Sequence, residues 1–263
     1  MIRFLPALVV SVALPLSALA QAPAGNEFQV NTYTTGFQYG ANAVASDGSG
    51  NFVVVWPSNG QDGSDYGIFG QRFSAAGIRL GGEFQVNTYT TNRQYMAAVA
   101  SDANGNFVVV WQSYGPDGQF SGIFGQRFNA LGVRLGTEFR VNTYTTHQQI
   151  RPAVSSDASG NFVVVWDSFY QDGNAVGVFG QRFNVAGIPQ GTEFRVNSYT
   201  TDFQYLPAVA SAPVGASSSS GPATARTGTA TPSWASGSMP PASGKAASSG
   251  SAPTRPAPSS TRR

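Results

Sequence analysis

One passage occurs four times along this chain, and it limits the possible folds more than any other feature. Glu27-Phe28-Gln29-Val30-Asn31-Thr32-Tyr33-Thr34-Thr35 returns in close copies at Glu83, Glu138 and Glu193, with spacings of 56, 55 and 55 residues. Asn51-Phe52-Val53-Val54-Val55-Trp56 returns with Trp111 and Trp166, and Gly67-Ile68-Phe69-Gly70-Gln71-Arg72-Phe73 returns from Gly122 and Gly177. Self-similarity at this period marks a unit that buries its apolar face against its neighbours rather than alone. The units run over 27–82, 83–137 and 138–192, with a partial one at 193–211, inside a repeat region of 26–211.

Each unit reads as four short strands. In the second, Phe84 to Thr90 alternates polar with aromatic and β-branched residues and predicts the first strand. A short second strand lies around Met96 to Ala100. Phe107 to Trp111 is a continuous apolar run, which fits a strand covered on both faces. Gly122 to Phe128 supplies the fourth. The Ser-Asp-x-x-Gly-Asn segments carrying Asp47, Asp102 and Asp157 are turn chemistry, with Asp accepting from nearby backbone N–H groups and Gly supplying positive φ. Four strands per unit, repeated, predict an all-β protein of incomplete β-propeller blades. A β-trefoil, also built from four-stranded units, is the alternative. Fewer blades than a closed ring leave open edges, through which the chain is expected to self-associate.

The ends differ from the repeats. Residues 1–20 combine a basic start at Arg3, an apolar run from Phe4 to Leu16 and a small-x-small site, with cleavage after Ala20 or Ala22. This predicts an exported protein, secreted, periplasmic or at the cell surface, without a membrane span. Residues 212–263 turn to Ala, Pro, Ser, Gly, Thr and Arg, a low-complexity composition that predicts a disordered tail. The tail holds five basic residues and no acidic one, so the net charge of +2 is +5 from the tail and −3 from the rest. The basic balance therefore gives no reason to expect a nucleic-acid partner.

The genetic code gives the tail a sharper reading, a frameshifted fourth repeat. If one base is missing after the Ser211 codon, each original codon joins the last base of one present codon to the first two of the next. Ser217 to Ser220, written as TCN, then become four Phe, Leu, Ile or Val codons, and Gly221 closes one that can encode Trp, 55 residues after Trp166. Trp234-Ala235 forces a glycine where the units have Gly70, Gly125 and Gly180. Met239-Pro240 forces an alanine where the first two have Ala75 and Ala130.

Candidate chemistry is sparse. The chain has no cysteine, which excludes disulfides and thiolate sites, and its one histidine, His147, reads as a loop residue. No catalytic residues and no cofactor are expected. Asp62 and Asp65 in Gln61-Asp62-Gly63-Ser64-Asp65 are weak candidates for a hard cation such as Ca²⁺, but Phe120 and Ala175 replace Asp65 in later units. Trp56, Trp111 and Trp166 at identical repeat positions read as packing rather than glycan platforms. Arg72, Arg127 and Arg182 are expected to pair with Glu83, Glu138 and Glu193.

The motifs Asn-Phe-Val-Val-Val-Trp, Gln-Asp-Gly, Gly-Ile-Phe-Gly-Gln-Arg-Phe and Glu-Phe-x-Val-Asn-Thr-Tyr-Thr-Thr resemble a bacterial tandem repeat of large exported proteins, which often carry calcium-binding hemolysin-type or cadherin-like modules. The resemblance covers Asn26 to about Ser211 and implies a propeller-like, non-enzymatic surface or secreted protein. The expected function is thus a non-catalytic extracellular binding or adhesion module, with a surface glycan or a protein as partner. A glycan-active propeller enzyme is the alternative, as is a non-functional fragment of a longer repeat protein. An enzyme should show acidic or basic residues unique to one unit and converging on the axis. The near-interchangeable copies argue against it.

Overall fold

A computed structural model describes residues 25–38, 43–116, 118, 120–211 and the backbone of 224–228. The leader and nearly all of the tail, with the readings made for them, lie outside the described residues.

Three four-stranded antiparallel sheets follow one another, each a meander in chain order. The first comprises β1 (Ala43–Ser46), β2 (Phe52–Asn59), β3 (Tyr66–Phe73) and β4 (Phe84–Gln85). The second comprises β5 (Gln94–Ser101), β6 (Phe107–Tyr114), β7 (Ser121–Phe128) and β8 (Arg134–Arg140). The third comprises β9 (Gln149–Ser156), β10 (Phe162–Phe169), β11 (Val176–Phe183) and β12 (Phe194–Arg195). A fourth begins with β13 (Tyr205–Ala210), paired with β14 (Thr224–Gly228).

The first strands β1, β5, β9 and β13 lie side by side, so they stand at the common axis. This is a partial β-propeller. The trefoil alternative fails because each sheet is a separate four-stranded meander and successive sheets pack on one another through apolar cores. The sheets are offset from the sequence units. The Glu-Phe-x-Val-Asn passage, expected to open each unit, instead forms the short outer strand of the preceding sheet, where Phe84 lies opposite Gly70 and Phe194 opposite Gly180.

The apolar runs do what their pattern implies. Phe107 to Trp111 is buried throughout, and the cores lie between sheets: Val53, Val55 and Ile68 of the first pack with Val99, Val109 and Trp111 of the second. The next junction repeats this with Val110, Ile123 and Val141 against Val164 and Trp166. Trp56, Trp111 and Trp166 are all buried, as their repeat positions suggested.

Polar staples reinforce the same junctions. Arg72 donates to Ala130 O of the next sheet and to Leu80 O at 2.9 Å, and Arg127 donates to Val185 O at 2.6 Å. Arg182 stands exposed on β11 opposite Val163. The expected Arg–Glu pairing is therefore corrected. The glutamates instead accept from the preceding unit: Thr32 N and Oγ1 to Glu83 at 2.7 and 2.8 Å, Thr88 to Glu138 at 2.6 and 2.8 Å, and Thr143 to Glu193 at 2.7 and 2.9 Å. Backbone carbonyls capture Arg72 and Arg127 because they lie at the seam, within reach of the fork.

Candidate functional site

The repeated aspartates are turn residues. Asp47, Asp102 and Asp157 each accept from the N–H groups two and four residues on, at 2.8–2.9 Å. Their second oxygens accept from Asn51, Asn106 and Asn161, whose own oxygens hold the next turn through Ala75, Ala130 and Val185. Asp47 titrates below the ordinary carboxylate range: slight burial pushes it up, but donors from Asn51 and Ser49 pull it further down. Asp65 is taken by the Arg93 guanidinium, Nε to Oδ2 2.6 Å, and Asp62 accepts from Ser64 N and Asn87 Nδ2. A cation there would have to displace Arg93. Among the described residues no group of three or more His, Asp or Glu is arranged to hold a metal.

The site that sequence reasoning missed lies at the axial strands of the third sheet. Each complete first strand after β1 carries a bulge: the register shifts between Tyr95 and Ala98 against β6, and between Val165 and Asp167 against β9. The bulged residue takes positive φ although it is not glycine, at Met96 (54°), Arg151 (53°) and Leu206 (59°). Such a residue costs roughly 1–2 kcal/mol of backbone strain, and a bulge re-aims its side chain.

In the third sheet the re-aimed side chain is Arg151. Its Nε lies 3.3 Å from Asp167 Oδ2, and its guanidinium carbon sits 5.5 Å from the Tyr205 ring centroid. Asp167 occupies a position held by Pro57 and Gln112 in the earlier units, and Arg151 one held by Met96. Asp167 is completely buried, whereas Arg151 is 20% exposed. Leu206 N donates weakly to Asp167 Oδ2 at 3.4 Å. Among the described residues Asp167 Oδ1 and the Tyr205 hydroxyl have no hydrogen-bond partner. Burial pushes the Asp167 carboxyl up to about 7, more than Arg151 and Leu206 N pull it down.

In the second sheet the same place is neutral: Gln112 Nε2 donates to Tyr95 O–H at 3.0 Å and to Ser121 Oγ at 2.9 Å. The signal was present in the sequence as an acid and a base unique to one unit. Repeat averaging concealed it, because both sit in otherwise near-identical strands.

A second local feature lies at the same end of the axis. β9 begins and β10 ends there, so the loops next to Arg151 and Asp167 share that face with the approach to β7. His147 stands between Tyr170 and Phe120, with ring centroids 5.0 and 5.8 Å away. Tyr170 and Phe120 are exposed. Asn92, Gly115 and Ala175 replace these rings in neighbouring units.

No protein-family model matches the chain, and no curated protein matches it. Among solved structures it is similar to a Penicillium chrysogenum alpha-L-arabinanase complexed with arabinobiose, at 16% identity over 66% of this chain and 55% of that one, TM-score 0.44. It is similar to an endo-arabinase from Bacteroides thetaiotaomicron, at 13% identity over 62% and 57%, TM-score 0.36. A third is a thermostable family-43 glycoside hydrolase, at 11% identity over 64% and 60%, TM-score 0.41. The chain spans little more than half the length of these proteins, and such identities bear on architecture alone. The expectations of a non-catalytic adhesion module and of no enzyme are nonetheless corrected. The copies are not interchangeable at the axis, where an acidic and a basic residue, Asp167 and Arg151, meet in one unit among the described residues.

Proposed function

We propose that this chain belongs to a glycan-active propeller enzyme, with its chemistry at the axial end of the third sheet. The observation that carries the reading is the Arg151–Asp167–Tyr205 group, an acid and a base found in one unit only and brought to the axis by a bulge. Glycoside cleavage needs a carboxylic acid that stays protonated near neutral pH, and desolvation is the usual way to make one. In this reading Asp167 is the acid. Arg151, the member that reaches solvent, meets the sugar hydroxyls and gates Asp167. The exposed rings of Phe120 and Tyr170 offer the flat apolar faces on which sugars stack.

The reading extends to the chain's ends. The first twenty residues export it, and the residues after Ser211 are a fourth unit displaced by one base. The nucleotide sequence tests the latter: restoring one base near codon 212 should regenerate Phe-Val-Val-Val-Trp. The activity is tested by incubating this chain and the base-restored protein with a panel of neutral oligosaccharides. Cleavage that falls at least about 100-fold in Asp167→Asn, and persists in Asp65→Asn, is expected, this being the scale of a lost general acid. Absence of cleavage by both proteins contradicts the reading.

A further inference from the structure

We infer that the N-terminal segment at 27–38 is the outer strand of a blade whose inner strands come from elsewhere, and that its free edge is a socket for a Gly-Ile-Phe-Gly-Gln-Arg-Phe strand of another unit of this repeat. The segment follows the path that Glu83 to Gln94 takes on the second sheet. Phe28 packs on Phe73 at 5.3 Å and 52°, as Phe84 packs on Phe128 at 5.4 Å and 56°. Arg79 donates to Gln29 O at 2.6 Å, as Arg134 donates to Gln85 O at 2.7 Å. Asn31 Nδ2 donates to Tyr33 O and Gln38 Oε1, as Asn87 does to Tyr89 O and Gln94 Oε1.

One side of the pattern is missing. Val86 N donates to Ile68 O and Asn87 Oδ1 accepts from Ile68 N, and Val141 and Asn142 repeat this with Ile123. Among the described residues Val30 N has no such partner, and Asn31 Oδ1 accepts no backbone N–H, its one donor being Gln29 Nε2 at 3.4 Å. A cavity of about 130 Å³ lies there instead, lined by Val30, Asn31, Gln38, Val54 and Trp56. At the later junctions the equivalent space, between Val86 and Trp111 and between Val141 and Trp166, is filled by Ile68 and Ile123, both fully buried. The socket therefore asks for two main-chain hydrogen bonds and one isoleucine-sized side chain, which is recognition by strand addition. β3, β7 and β11, the strands of this type among the described residues, already pair with their own outer strands. The occupant is accordingly the third strand of an additional unit.

The test titrates the purified chain with a peptide of the sequence of residues 66–73, Tyr-Gly-Ile-Phe-Gly-Gln-Arg-Phe, reading tryptophan emission and calorimetry. Saturable one-to-one binding is expected, weakened at least 10-fold in a peptide carrying Ile68→Asn and abolished by Val30→Trp in the protein, which fills the cavity. Absence of saturable binding to the folded chain, or equal binding of the substituted peptide, overturns the inference. So does self-association that excess peptide does not reverse, since that assigns the edge to a second copy. The peptide comparison decides the matter even if Val30→Trp does not fold.

Discussion

At the scale of the residue, Asp167 stands in surroundings unlike those of its repeat equivalents Pro57 and Gln112. Its carboxyl titrates near 7 in the folded protein against an ordinary value of 3.8, so folding takes up a proton between those values. The resulting stabilisation is fully present below about pH 4 and is lost as pH rises through 7. Asp167→Asn removes this dependence, so its melting temperature relative to the parent should be distinctly higher at pH 8 than at pH 5. An unchanged difference between those two pH values would place the carboxyl in an ordinary environment. Gly125 shows a steric constraint of the opposite kind. A Cβ there would lie 2.8 Å from Phe139 Cζ, on a ring already packed on Phe183 at 5.7 Å. Gly125→Ala should cost on the order of 1–3 kcal/mol by overpacking, read as a lower denaturant midpoint.

At the scale of the element, strand existence was legible and strand membership was not. Phe107 to Trp111 announced itself by unbroken apolarity, and the structure lengthens it only to Tyr114. The Asp47, Asp102 and Asp157 turns were equally readable, because a short acid two residues before a backbone donor leaves little freedom. The Glu-Phe-x-Val-Asn passage lies at the outer edge of the preceding sheet rather than at the start of its own, since periodicity fixes a repeat's length but not where the sheet is cut. Arg72 and Glu83 mislead for a related reason: opposite charges recurring close together in the chain suggest a pair, whereas both reach across seams to neighbours. Glu138→Ala should therefore loosen the seam between the first and second sheets, where its carboxylate accepts from Thr88. The expected loss is about 1.5–3 kcal/mol for charge-assisted bonds, with hydrogen-exchange protection falling first in Val86 to Tyr89. Protection lost evenly over all three sheets would contradict this assignment.

At the scale of the whole molecule, the propeller class was visible in the repeat, but the functional asymmetry was not. Three units nearly identical in sequence differ at the axis, where Met96 gives way to Arg151 and Gln112 to Asp167. Those exchanges matter only because a bulge and an adjacent Tyr205 bring them together, and neither is written in the local sequence. Trp111 and Trp166 show how much of the stability resides between sheets. Either, replaced by Ala, should cost about 3–5 kcal/mol, and Trp111→Ala should separate the first sheet from the second, giving two unfolding transitions by calorimetry where the parent gives one.

The central claim, that the third sheet holds a buried acid at a glycan site, is tested most directly by titrating the Asp167 carboxyl carbon by NMR with and without a bound neutral oligosaccharide. The account predicts a midpoint near 7 that moves when the sugar binds beside Arg151. A midpoint near 4, unmoved by every oligosaccharide tried, would contradict it.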